Sequence, residues 1–171
     1  MIYLQMIDSP EEKGKFERLY GMYKGFMFQI ANRILHNTYD AEDAVHSAFV
    51  SVAKNISKIS DPGSQESRSY LAIITERKAI DIWRDRQKRS GGAFDEEMAG
   101  VVVPQDGERD LAGCIARLPA RYRQVILLKY GLGYTTGEVA EMLDISQAAA
   151  SKLDQRAKKK LYDLCREEEI L

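Results

Sequence analysis

Side chains able to act as a nucleophile, a base or a metal ligand are few and scattered in this 171-residue chain. His36 and His46 are its two histidines, and no Ser, Cys or carboxylate cluster stands beside them in a nucleophile–base or metal-ligand spacing. Cys114 and Cys165 lie far apart without CxxC spacing and read as buried small hydrophobes. Neither an enzyme site, a metal nor a cofactor is expected. The residues that do form a chemical pattern lie near the C-terminus. At roughly 100° per residue, Ala148, Ser151, Lys152, Gln155 and Lys159 share one helical face, with Gln147 ahead of them and Arg156 to the side. That face offers amide, hydroxyl and ammonium donors behind small residues, which suits the acceptors of base edges and phosphates in a DNA major groove.

A helix carrying that face needs a support, and "EVAEMLDISQAAASKLDQRAKKKL" (138–161) supplies one. Val139, Ala140 and Leu143 recur at helical spacing, and Thr135 with Glu138 has the relation of a capping box. "DIS" then ends the first helix at Asp144, inserts Ile145 as an apolar plug and offers Ser146 as the N-cap of the second. In that second helix Ala150, Leu153, Ala157, Leu161 and Leu164 form the packing stripe. The pattern is that of a helix-turn-helix. An ordinary helical hairpin with a solvated charged face has the same local text.

Charge separates these readings further. The net charge is −1, but residues 1–67 carry −2, 68–89 carry +4, 90–110 carry −5 and 111–171 carry +2. One basic stretch alone reads as a solubilising face, whereas two, each beside a helix, favour a polyanionic partner. The acidic stretch "SGGAFDEEMAGVVVPQDGERD" has no sustained period and at about 21 residues is longer than connections inside compact domains usually are. The fold expected is all-α: two small helical domains, 1–89 and 111–171, joined by a flexible acidic linker, 90–110. No apolar run approaches the roughly 20 residues of a membrane span, and the N-terminus lacks the basic start and apolar core of a signal peptide, so a cytoplasmic protein without membrane insertion is expected.

In the first domain two helices are expected between Glu11 and about Ile59, broken at "HNTYD". Asp40 reads as the cap of the second, with Glu42 and Asp43 in its first turn and an apolar series through Val45, Phe49, Val52 and Ile56. A third helix is expected from about Arg68 to Arg89, its apolar side made by Ala72, Ile73, Ala79, Ile80 and Trp83 and its cations Arg77, Arg84 and Lys88 held off the core. Tyr20, Tyr23, Phe26 and Phe28 have the look of a base-stacking platform, but their spacing beside Ile30 and Ile34 favours core packing. In the second domain the "LP" of Leu118 and Pro119 opens a helix, and "YGLGYTTG" separates it from the two-helix motif.

Laid out in this order, the chain resembles the bacterial RNA polymerase sigma factors of the extracytoplasmic-function group. "YDAEDAVHSAFVSVAKNI" resembles the helix by which they hold the polymerase clamp. "SYLAIITERKAIDIWRDRQKR" is similar to the helices that melt and read the promoter −10 element, and "LPARYRQVILLKYGLGYTTGEVAEMLDISQAAASKLDQRAKKKL" to the domain that reads the −35 element. Three positions depart from the pattern. Arg77 stands where an asparagine is frequent, and Ala150 and Asp154 stand where the recognition helix usually has apolar residues. The resemblance implies a promoter-specificity subunit with core RNA polymerase and promoter DNA as partners, and leaves room for an anti-sigma factor. It implies polymerase binding by Asp40, Glu42, Asp43, Val45, His46 and Phe49. Contact with the −10 element falls to Arg77, Lys78, Arg84, Lys88 and Arg89, and with the −35 element to Gln147, Ala148, Ser151, Lys152, Gln155, Arg156 and Lys159. A free-standing helix-turn-helix regulator of double-stranded DNA is the alternative reading.

Overall fold

A computed structural model describes residues 1–91 and 110–167. Among them are seven α-helices and no strand, and the chain divides into two compact units, Met1–Phe94 and Asp95–Leu171. Apart from Ser90, Gly91 and Asp110, the acidic linker lies outside the described residues.

The first unit is a three-helix bundle. Helix α1 (Pro10–Leu35) is capped by Ser9, whose hydroxyl accepts from the Glu12 amide, with Pro10 in the first turn where its missing N–H costs nothing. It ends at His36, which takes the left-handed conformation at φ 50°. Helix α2 (Thr38–Lys54) follows at once, and its cap is Asn37, not Asp40: the Asn37 side chain accepts from the Asp40 amide at 3.1 Å. Asp40 therefore sits inside the first turn, and Glu42 and Asp43 fall one turn later than expected. Helix α3 (Gln65–Arg89) starts a turn earlier than its apolar rhythm implies, because Ser64 caps it and Ser67 ties its first turn to the carbonyls of Ser60 and Asp61. The core holds Phe16, Leu19, Met27, Phe49, Tyr70, Leu71 and Ile74, all at most 0 % exposed. A short 3₁₀ segment, Ile2–Met6, lays Tyr3 against Phe16 and Phe49 at ring separations of 5.3 and 5.8 Å.

Among the aromatics of α1 that have the look of a stacking platform, Tyr23 is buried and its hydroxyl donates to the Pro62 carbonyl at 2.6 Å, while Tyr20 packs on Phe49 at 4.8 Å between centroids. Phe26 is half-buried under the Arg68 guanidinium, 4.2 Å from its ring centre. Trp83, expected as an anchor of the core, is only half-buried near the end of α3.

The second unit opens with two short helices, α4 (Leu111–Arg117), capped by Asp110, and α5 (Ala120–Ile126), preceded by Pro119 in the cap position. A π-helical turn, Leu127–Gly131, extends α5. Gly133 then turns the chain at φ 83°, a conformation glycine adopts without penalty. Helices α6 (Thr136–Leu143) and α7 (Gln147–Glu167) complete the unit, with Leu118, Ile126 and Ala157 at its centre and Ile115, Tyr122, Leu161 and Leu164 packed around them. Cys114 and Cys165 are both buried here as free thiols; burial, then a hydrogen bond with Cys165, pushes the Cys114 thiol above its ordinary pKa.

Candidate nucleic-acid and partner interfaces

The helix-turn-helix is built from local signals that all close. Thr135 accepts from the Glu138 amide at 3.2 Å while Glu138 accepts from the Thr135 amide at 3.1 Å, so both halves of the capping box are present. Asp144 ends α6 in the left-handed conformation at φ 58°, which a short polar side chain tolerates better than most. The Ser146 hydroxyl accepts from the Ala149 amide at 3.0 Å and starts α7. Ala150, Leu153 and Ala157 are buried on the inner side, and Gln147, Ala148, Lys152, Gln155, Arg156 and Lys159 are exposed on the outer, with Ser151 half-buried between them. The donors expected to meet DNA thus share one solvent-facing surface, backed by a packed seam.

One member of the buried side is a charge. Asp154 is 5 % exposed, and its carboxylate accepts from Lys129 Nζ at 2.8 Å and from the Tyr130 hydroxyl at 2.9 and 3.2 Å. Lys158 Nζ approaches within 3.8 Å. Burial alone would raise the Asp154 pKa, but the bonds from Lys129 and Tyr130 outweigh it and hold the group below its ordinary value; the same bond raises that of Lys129. Leu153, in the packing stripe, is buried beside Asp154 at 8 % exposed. The bonded carboxylate next to it had no sequence signal, since its partners lie 24 and 25 positions upstream in the π-helical turn.

In the first unit the cations of α3 separate. Lys88 and Arg89 are exposed, and Lys78 and Arg84 are half-buried. Arg77 is 9 % exposed, so the expectation that it stands off the core is corrected. Position 77 lies four after Ile73 and three before Ile80, both buried, and so falls inside the packing stripe.

The acidic helix α2 also needs correction. Glu42, Asp43 and His46 are exposed, but Val45 and Phe49 are buried at 6 % and 0 % and make the seam of the bundle rather than an outward ridge. Asp40 pairs with Arg86 of α3, which joins the start of one helix to the end of the other. Between α1 and α2 runs a cleft of about 680 Å³ lined by Tyr3, Tyr20, Lys24, Phe28, Glu42 and His46.

Among the described residues no group of three His, Cys, Asp or Glu side chains could hold a metal ion, and no helix is long and apolar enough to cross a membrane.

Comparison with known proteins matches these two units to two family models, sigma-70 region 2 over residues 19–89 and sigma-70 region 4 over residues 108–161. The ECF RNA polymerase sigma factor SigW of Bacillus subtilis is 28% identical over 153 residues, 78% of this chain and 80% of SigW. SigJ of Mycobacterium tuberculosis, also an ECF RNA polymerase sigma factor, is 27% identical over 162 residues, and the match spans 86% of this chain but about half of SigJ, 49%. The sigma factor RpoE of Bartonella quintana, solved with the anti-sigma factor NepR, is 18% identical, with a TM-score of 0.45 over 88% of this chain and 96% of that one. Because regions 2 and 4 follow one another over most of its length, the chain belongs to the sigma-70 family, in its extracytoplasmic-function group. It is a sigma subunit that directs transcription initiation. A region 2 match on the first unit counts against a free-standing regulator, which has no use for one.

Proposed function

We propose that the first unit holds core RNA polymerase and recognises and melts the −10 element, while residues 111–171 read the −35 element with α7 in the major groove. The observation that carries this reading is the outer face of α7, where Gln147, Lys152, Gln155, Arg156 and Lys159 are exposed beside the small residues Ala148 and Ser151. Small residues let the helix lie deep, and the longer ones reach bases and phosphates. On α2, Glu42, Asp43 and His46 meet the polymerase, with Asp40 braced by Arg86 and Val45 and Phe49 holding the helix from behind. On α3, Lys78, Arg84, Lys88 and Arg89 face the −10 DNA, with Arg77 supporting the helix from its buried side. The protein works in the cytoplasm beside the polymerase and has no catalytic site of its own.

The test is reconstitution. Purified protein should co-elute with core RNA polymerase and enable initiation at a defined start site in vitro. Initiation that needs no added protein, or DNA binding indifferent to the polymerase, would refute the reading.

A further inference from the structure

The inner side of α7 is apolar at Ala150, Leu153 and Ala157, yet Asp154 stands among them. Its bonds run to Lys129 and Tyr130, both in the π-helical turn that closes α5, so they tie the outer helix to its scaffold by direction as well as by contact. Apolar contacts are non-directional and let a helix roll about its axis at little cost in buried area. A carboxylate held by two donors from a fixed turn resists that roll. The next residue, Gln155, is exposed on the outer face. With side chains ending about 6 Å from a helix axis, a roll of about 10° displaces a tip by about 1 Å. A displacement of that size breaks a bidentate amide–base contact. Tyr130 is 53% exposed, with the ammonium groups of Lys129 and Lys158 at 5.4 and 5.9 Å from its ring centre, and its hydroxyl is the group that holds Asp154.

We propose that Asp154, clamped by Lys129 and Tyr130, is a positioning residue for promoter specificity: it fixes the rotation of α7 and so determines which base Gln155 reads. The inference rests on the assignment of α7 as the DNA-reading helix. Holoenzyme assembled from the full chain and core RNA polymerase is bound to a promoter library randomised across the −35 element, and the base preference at each position is compared among wild type, Gln155→Ala, Asp154→Asn and Tyr130→Phe. Gln155→Ala should lose discrimination at one position by about fivefold or more. Asp154→Asn should lose it at that same position to a comparable extent, and Tyr130→Phe by about two- to threefold, with the dependence of affinity on salt unchanged in both. A merely structural role would lower affinity for all sequences alike. If Gln155→Ala shifts the preference while Asp154→Asn and Tyr130→Phe keep the wild-type profile, the positioning role is overturned and the reading helix stands. If Gln155→Ala leaves every preference intact, the base-reading assignment fails and the proposal with it. Should Asp154→Asn fail to fold, Tyr130→Phe decides, because it alters only the hydroxyl of an exposed ring.

Discussion

The hydroxyl of Tyr3 lies 2.7 Å from Nδ1 of His46, so the N-terminal 3₁₀ segment is hydrogen-bonded to the middle of α2. Tyr3 is 9% exposed, and burial, followed by the nearby Tyr20, raises the pKa of its phenol. Its ring contributes more than its hydroxyl, since it packs on Phe16 and Phe49. Tyr3→Phe should therefore cost about 1 kcal/mol, the net worth of one hydrogen bond, and Tyr3→Ala about 3 kcal/mol or more, from the lost ring and the void it leaves. Urea unfolding of the full chain measures both; equal losses would mean that the ring is not packed as described.

On α2, charge and packing predict different failures. Reversal of charge at Glu42 and Asp43, both exposed, should weaken binding to core polymerase without lowering the melting temperature. Phe49→Ala should do the opposite first, destabilising the bundle by about 3–5 kcal/mol, because Phe49 is fully buried. Fluorescence anisotropy against core polymerase, beside a thermal melt of each variant, separates the two. Unchanged affinity for the Glu42 and Asp43 variant would remove this surface from the interface.

The elements that sequence alone made legible are those whose causes are local. The Thr135–Glu138 capping box and the Ser146 cap each span three positions, and each closes as its text implies. Asp40 was a plausible cap by type, but Asn37 stands ahead of it and captures its amide. Arg77 misleads for a related reason: its charge points to the surface, while its place between Ile73 and Ile80 assigns it to the core. The partners of Asp154 were out of reach of any pattern, since periodicity carries no information about a turn more than twenty positions away.

The Asp154 cluster makes stability depend on pH at both ends of the range. The folded-state pKa of Asp154 is lowered from 3.8, so its contribution is present above that value and is lost as pH falls through the lower folded one. Lys129 is raised from 10.5, so its share persists up to that value and is lost as pH rises through the higher folded one. Between these limits the contribution should be flat. Asp154→Ala should lower stability by about 3 kcal/mol, the low end for breaking a buried pair, because the Lys129 side chain is 27% exposed and stays partly hydrated. Thermal melts across pH check this: the wild-type advantage over Asp154→Ala should shrink in strong acid, and a constant difference would show that the bonds do not titrate.

For the cations of α3, exposure decides the outcome. Lys88→Ala should reduce the slope of log affinity against log salt by about one unit if Lys88 meets a phosphate, since one fewer counterion is released. Arg77→Ala should leave the slope alone and destabilise the bundle, because its side chain is enclosed. Binding of holoenzyme to a promoter fragment over a range of salt, with a melt of each variant, distinguishes them. A slope that falls for Arg77→Ala in a normally folded protein would return that residue to the DNA surface.

On α7 the exposed donors should divide into base readers and phosphate anchors. Lys152 and Gln155 project from its early and middle turns, where a helix in the major groove meets base edges, whereas Arg156 and Lys159, with the half-buried Lys160, lie later and to the side that would meet the phosphate backbone. Gln155→Ala should cost about 1–3 kcal/mol on the preferred −35 sequence and relax discrimination at one position, because an amide makes a bidentate contact that only one base completes. Lys159→Ala should weaken every sequence alike and lower the salt slope by about one unit, because an ammonium on a phosphate carries no sequence information. Bulky replacement of Ala148, which is exposed and small, should lower affinity without changing the slope, since it holds the helix out of the groove. Binding-site selection with the Gln155 and Lys159 variants in holoenzyme measures the division. Uniform loss for both, with no altered base preference, would make α7 an anchor on the phosphates and move the reading surface elsewhere.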